Sequence, residues 1–298
     1  MLVVACAGDD GDNGESEAFV PAFAYLRLEG DATVATLSDG EQQVSYDVPA
    51  DLEPLTAFAC SAAGDLVIPA GRDDSLLSPL WLVDDELELA RDLPPAFEPA
   101  WVAADGLLVR VVDPDEGAGV RVYEREGQSF TSVTPLLPGR NAGWVSGPGL
   151  IAVQAGPGGG FTRLGIYGLT LDEARRGEVD AEFWELLSSV PIDPRQLSPD
   201  GEVFVFATAA QENQQRDIQA INADGSDART LVATPREEFA PVWANGTEIL
   251  FLRRALLGEG EDETEADVEV IRLDLETNEE TVLANEAGIY ALAACAPV

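Results

Sequence analysis

The side chains of this chain that could do chemistry are carboxylates and three cysteines, with little to accompany them. Among 298 residues, 55 are Asp or Glu and 17 are basic; all 17 are arginine, and histidine is absent. Without imidazole there is no Ser-His-Asp or Cys-His relay and no histidine metal site, because no other unperturbed side chain titrates near neutral pH. An enzyme built here would have to work with carboxylates, Tyr, Ser or Arg. The most conspicuous single carboxylates have local tasks. Asp200, in Pro199-Asp200-Gly201, and Asp224, in Asp224-Gly225-Ser226, stand where Asx residues hydrogen-bond their own turns. The acidic block at 258–267, GEGEDETEAD, offers oxygens that suit a hard cation such as calcium, but its spacing does not match a twelve-residue EF-hand loop, and it reads as a solvated loop. The run GPGGGF at 156–161 lacks the Lys and following helix of a phosphate loop and reads as a hairpin loop. No catalytic, cofactor-binding or metal residue is assigned, and no cofactor is expected.

Charge narrows the partners. A formal net charge of -38 repels nucleic acid and anionic membrane surfaces. The same acidity is consistent with a solubilising surface or with adaptation to salt. At the N-terminus, Leu2-Val3-Val4-Ala5 directly before Cys6 resembles the lipobox of bacterial and archaeal lipoproteins, although the charged n-region and most of the apolar h-region of a signal peptide are missing. The resemblance implies that Cys6 carries lipid, that residues 1–18 are a lipobox remnant and flexible acidic tether, and that the rest lies outside the cytoplasm, held to a membrane. No stretch approaches the roughly 20 apolar residues of a spanning helix.

The elements that would position any site come from a repeat. The stretch 197–209, LSPDGEVFVFATA, joins a tight turn to an alternating strand; 217–232 adds two strands about a second Asp-Gly turn; 239–254 restarts the pattern about Asn245-Gly246. Weaker copies place Cys60, Trp101, Trp144, Leu197, Trp243 and Cys295 at equivalent positions, at intervals of 41, 43, 53, 46 and 52 residues. Units of 40–50 residues with four short strands are propeller blades, and a Trp ending an inner strand fills the wedge between neighbouring sheets. Five positions are followed by three further strand-like runs. The sixth, at the C-terminus, is followed by none, while three runs near residues 19–48 lack an inner strand. The chain therefore predicts an all-β, six-bladed propeller over 19–298, four antiparallel strands per blade, with its last blade shared by both chain ends. The 53-residue interval predicts a helical insertion within 171–189, because Thr170 and Glu173 form a capping box and Phe183, Trp184 and Leu187 fall at helical spacing. Cys60 and Cys295 then lie on inner strands of adjacent blades, either as a disulfide that locks the ring or as two reduced core residues.

Leu197-Ser198-Pro199-Asp200-Gly201, Phe204, Phe206, Asp217-Ile218, Asp224-Gly225-Ser226 and Pro241-Val242-Trp243 resemble the WD-repeat-like propeller repeats of the TolB type. That resemblance implies a six-bladed extracytoplasmic module that binds a protein or other partner. The alternative from another class is a propeller enzyme acting on carbohydrate, lactone or ester by carboxylate chemistry, which would need two or more buried carboxylates near the axis.

Overall fold

Short apolar runs separated by Gly, Asn and Asp turns fold as antiparallel strands, and the computed structural model arranges them as six sheets. It describes residues 19–49, 53–54, 57–71, 78–83, 87–90, 92–102, 106–113, 115, 117–127, 129–139, 142–155, 165–177, 183–184, 194–208, 215–256 and 266–295. Cys6 and the loops at 156–161 and 258–265 lie outside the described residues.

Numbered along the chain, blade 1 is built on Leu66–Gly71, which pairs on one side with both Ala59–Cys60 and Glu53–Pro54, followed by Leu80–Val83 and Leu87–Leu89. Blade 2 runs Ala96–Val102, Gly106–Asp113, Gly117–Glu126 and Ser129–Ser132; blade 3 runs Ala142–Val145, Leu150–Ala155, Gly165–Thr170 and Phe183–Trp184. Blade 4 contains Val203–Ala207, Ile218–Asn222 and Arg229–Val232; blade 5 contains Glu237–Trp243, Glu248–Arg254, Asp267–Asp274 and Glu279–Ala287. Blade 6 closes the ring: its inner strand is Ile289–Ala294, and Phe23–Glu29, Ala32–Ser38 and Gln43–Val48 follow it outward. Phe23 opposes Ala294 and Leu26 opposes Ala291, and the Cys295 amide donates to the Ala22 carbonyl at 2.9 Å. The apolar C-terminal run thus finds its partner at the other end of the chain.

Strands within the blades are covered on both faces, which is why a run such as Phe23–Leu26 reads as continuous apolar sequence. Successive side chains of a strand point to opposite faces. Ala24 and Leu26 accordingly pack with blade 1, and Phe23 and Tyr25 with blade 5. Six such apolar clusters occupy the six junctions of the ring. Trp101 belongs to the cluster that includes Val67 and Leu82 of the preceding blade, and Trp243 to the one that includes Val205 and Ile218 of its own predecessor, so both indoles are part of the wedges between sheets.

The helix expected within 171–189 is present as Leu171–Arg176: Thr170 and Glu173 form the capping box, and Gly177, at φ 67°, ends it in a left-handed cap. Two details differ from expectation. Phe183–Trp184 is instead the fourth strand of blade 3, paired with Ile166 and Tyr167; Leu187 lies outside the described residues. Nor does blade 4 have a regular inner strand. Pro194–Gln196 forms a 3-10 turn, and Leu197 meets Phe204 only in an isolated bridge. The two prolines, Pro194 and Pro199, carry no N–H for a ladder at this point.

Candidate functional site: the axial cavity

The inner strands surround a cavity of about 480 Å³ to which every blade contributes. A volume of that size is in the range of small-ligand pockets. Its described wall is mostly apolar and aromatic, with Phe58, Trp101, Trp144, Trp243 and Tyr290 around it. One charged side chain joins them, Arg195. None of the described residues lining the cavity is Asp or Glu.

Arg195 arrives there because blade 4 breaks the pattern. It is the middle residue of the 3-10 turn, closed by the Leu197 amide donating to the Pro194 carbonyl at 3.2 Å. The turn is held from both neighbouring blades. On one side stands Gly143, where a Cβ would come within 2.8 Å of the Pro194 carbonyl and 2.9 Å of the Arg195 nitrogen, so only glycine lets the turn approach. On the other side, the Trp243 indole N–H donates to the Gln196 carbonyl at 3.0 Å. The enclosed indole N–H groups of Trp101 and Trp144 have no such acceptor.

A second irregularity sets the place of Glu98. In blade 2 the pairing skips between Leu108 and Arg110, leaving a bulge at Glu98-Pro99, with Glu98 at φ 54°. Blade 5 repeats the device at Ala240-Pro241, with Ala240 at φ 50°. Both bulges stand three residues before a wedge Trp, and in both a proline occupies a place where the ladder N–H is not required. The bulge puts the Glu98 carboxylate between two guanidinium groups, 3.9 Å from Arg195 Nη2 and 3.9 Å from Arg110 Nη1. Burial raises the Tyr290 hydroxyl pKa, so this tyrosine stays protonated on the wall at physiological pH.

Of the other residues singled out in the sequence, Cys60 and Pro199 line the cavity, while Cys295, Asp200, Gly201, Asp224 and Gly225 are not among its lining. Cys60, on the wall, is joined by a disulfide to Cys295 of the closing blade, with 4.6 Å between their Cα atoms and a separation of 235 positions in the chain. Pro199 also borders the cavity, and its carbonyl accepts from the Gly147 amide of blade 3 at 2.7 Å. Asp200 accepts from the Ser198 hydroxyl and the Glu202 amide within its own turn, closed by Gly201 at φ 82°. Asp224 accepts from the Ser226 hydroxyl and, at 2.9 Å, from the Ser226 amide, which in that order hold the carboxyl below its ordinary pKa, and Gly225 completes that turn at φ 84°. These aspartates hold turns. Arg195, Glu98 and Gly143 were not singled out from the sequence; the broken ladder between two prolines was the available signal for the first.

No family model matches this sequence, and no curated protein matches it. Solved structures do. A protein assigned as TolB from Agrobacterium tumefaciens matches at 15% identity over 91% of both chains, with a TM-score of 0.52. TolB from Acinetobacter baumannii matches at 13% identity over 93% of this chain and 67% of its own, with a TM-score of 0.59. At that identity the likeness concerns architecture: the chain has the six-bladed β-propeller fold of TolB structures.

Proposed function

We propose that this protein is a non-enzymatic, extracytoplasmic binding propeller, held to a membrane by lipid on Cys6, that takes a protein partner at its axial cavity. The observation that carries this reading is the cavity wall: aromatic rings from five blades and, from the remaining blade, Arg195 on a backbone turn held by its two neighbours. Such a wall supplies apolar area and one oriented charge, which is what recognition needs. Hydrolysis of a glycosidic bond would call for two carboxylates flanking it. Glu98, one residue before the lining Pro99, lies between two arginines. The acidic exterior steers towards neutral or basic partner surfaces.

The test is recovery of the full tagged chain from detergent-solubilised membranes. The expected result is a lipid-modified Cys6, release to the soluble fraction on Cys6→Ser, and one co-purifying protein in stoichiometric amount that is lost on Ser146→Phe, which narrows the cavity. An unmodified Cys6 in a soluble protein, or partner recovery indifferent to Ser146→Phe, would overturn the reading.

A further inference from the structure

The ring has two unlike ends. The described chain begins at the end where the inner strands finish: Phe19 packs into the cluster between blades 6 and 1, and the Ala22 carbonyl accepts from Cys295, just past Ile289–Ala294. A cleft of about 360 Å³ gathers Pro21, Ala22 and Cys295 with Asp39, Ala62 and Asn245, which belong to turns of blades 6, 1 and 5, so these turns share that end. They are tight, like the others beside them. The Gly64 amide donates to the Ser61 carbonyl, the Gly201 amide to the Ser198 carbonyl and the Ala244 amide to the Glu248 carbonyl. Asp39, Glu41, Asp200, Glu202, Asp224 and Asp227 lie on such turns and make this end acidic. The cavity wall has the same polarity along the axis. Cys60, Trp243 and Ala294, the last residues of their strands, border the mouth at this end; Tyr290, near the start of the closing strand, and Arg195, before Leu197 and Pro199, stand towards the opposite mouth.

Resting on the reading that Cys6 carries lipid and that the axial cavity takes the partner, we infer that the end where the inner strands finish faces the membrane, and that the partner reaches the cavity from the opposite mouth, past Tyr290 and Arg195. Twelve residues, Ala7 to Ala18, separate Cys6 from Phe19. Drawn straight they span no more than about 40 Å. To bring the opposite end to the lipid, that length would have to run round the rim and the height of the ring, about 20 Å along a seven-residue inner strand such as Glu237–Trp243. The end that carries Phe19 has the shorter path. Its carboxylates stay in water and out of hydrocarbon, so this end faces the bilayer without entering it. The anchor keeps the gap too narrow for a folded protein, which leaves the far mouth as the way in.

The experiment puts p-azidophenylalanine in place of Pro235 or Gly246, exposed residues that flank the inner strand Glu237–Trp243 at its two ends; no atom lies within 4 Å of where a Gly246 Cβ would stand. Each full-length protein is biotinylated on the azide, and its rate of capture by streptavidin is compared between phosphatidylcholine vesicles and detergent, which cancels differences in intrinsic exposure. Streptavidin stands for a soluble partner too wide for the gap. Transfer to vesicles is expected to slow capture at least fivefold at position 246 and less than twofold at 235. Equal slowing at both positions, slowing at neither, or the greater slowing at 235 would each overturn the inference. Should the Pro235 variant lose its fold by circular dichroism, exposed Asp31, in the turn between Phe23–Glu29 and Ala32–Ser38 at the same end, takes its place. If the expressed chain carries no lipid, a maleimide phospholipid is coupled to Cys6, the one cysteine outside the disulfide, and the same rates decide. Failure of the Cys6 reading and failure of the orientation therefore give different results, and the effect of Ser146→Phe on the partner stands whichever way these rates fall.

Discussion

Arg253 is almost enclosed and is paired on two sides. Its Nε donates to Glu238 Oε1 at 3.1 Å, while its two terminal nitrogens reach Glu280 at 2.7 and 2.8 Å in a fork. Glu238 is fully buried; Oε1 also accepts from the Thr234 hydroxyl, and Oε2 has no hydrogen-bond partner. Burial therefore pushes its carboxyl up, against the pull of Thr234 and Arg253. The opposite holds for Glu280, where hydrogen bonding from Arg253 outweighs desolvation and keeps the carboxyl below the ordinary value of 4.5. Linkage gives the two groups opposite signs. The stability from Glu280 is present above its unfolded pKa and is lost as pH falls through the lower folded value; Glu238, whose folded pKa is raised, costs stability as pH rises through that value. Removing the arginine leaves a buried carboxylate uncompensated, so Arg253→Met should lose about 3–5 kcal/mol at pH 7, with Glu238 as the main cause because Glu280 is more exposed. In urea titrations the deficit should shrink as pH drops below the ordinary glutamate range and both carboxyls become neutral. A deficit constant from pH 7 to pH 3 would show that packing, and not charge, is what Arg253 provides.

At the level of elements, the legible parts were those with a short-range cause. Asp-Gly and Asn-Gly turns between alternating runs marked the hairpins of blades 4 and 5, and the spacing of Trp101, Trp144 and Trp243 marked the wedge positions. The helix start was legible because its capping box is local. Its end was not: over five residues the spacing of Phe183, Trp184 and Leu187 is compatible with either period, and pairing with Ile166 and Tyr167, some seventeen residues earlier, decides for a strand. The closing strand was legible by subtraction, since three N-terminal runs lacked an inner neighbour and Ile289–Ala294 lacked outer ones. Its disulfide spans 235 residues, for which the chain-entropy model gives about 5 kcal/mol. Replacing both Cys60 and Cys295 by Ala should lower stability by several kcal/mol and let amide exchange of Ile289–Ala294 outpace that of Glu248–Arg254. Equal protection of the two strands in the variant would mean that the hydrogen bonds to Phe23–Glu29 hold the ring without sulfur.

The site belongs to the whole molecule, which is why it was less legible than the fold. Arg195 is one of seventeen arginines in the sequence, and Glu98 one of fifty-five acids. Only closure of the ring brings Glu98 to 3.9 Å from Arg195 at the cavity wall, with Gly143 and Trp243 of two other blades holding the turn that carries Arg195. No local pattern encodes a contact assembled from four blades. The absence of histidine and the strong negative charge, by contrast, were counts, and they narrowed the chemistry and the partners before any fold was in view. The central claim is that the partner is met at the axis and not on the outer rim. Site-specific photo-crosslinking tests it most directly, with p-benzoylphenylalanine in place of Trp144, already a large ring on the cavity wall, or at Val282, exposed on the outermost strand of blade 5. A covalent adduct with the partner is expected from position 144 and none from 282; an adduct from 282 with none from 144 would contradict a partner site at the axis.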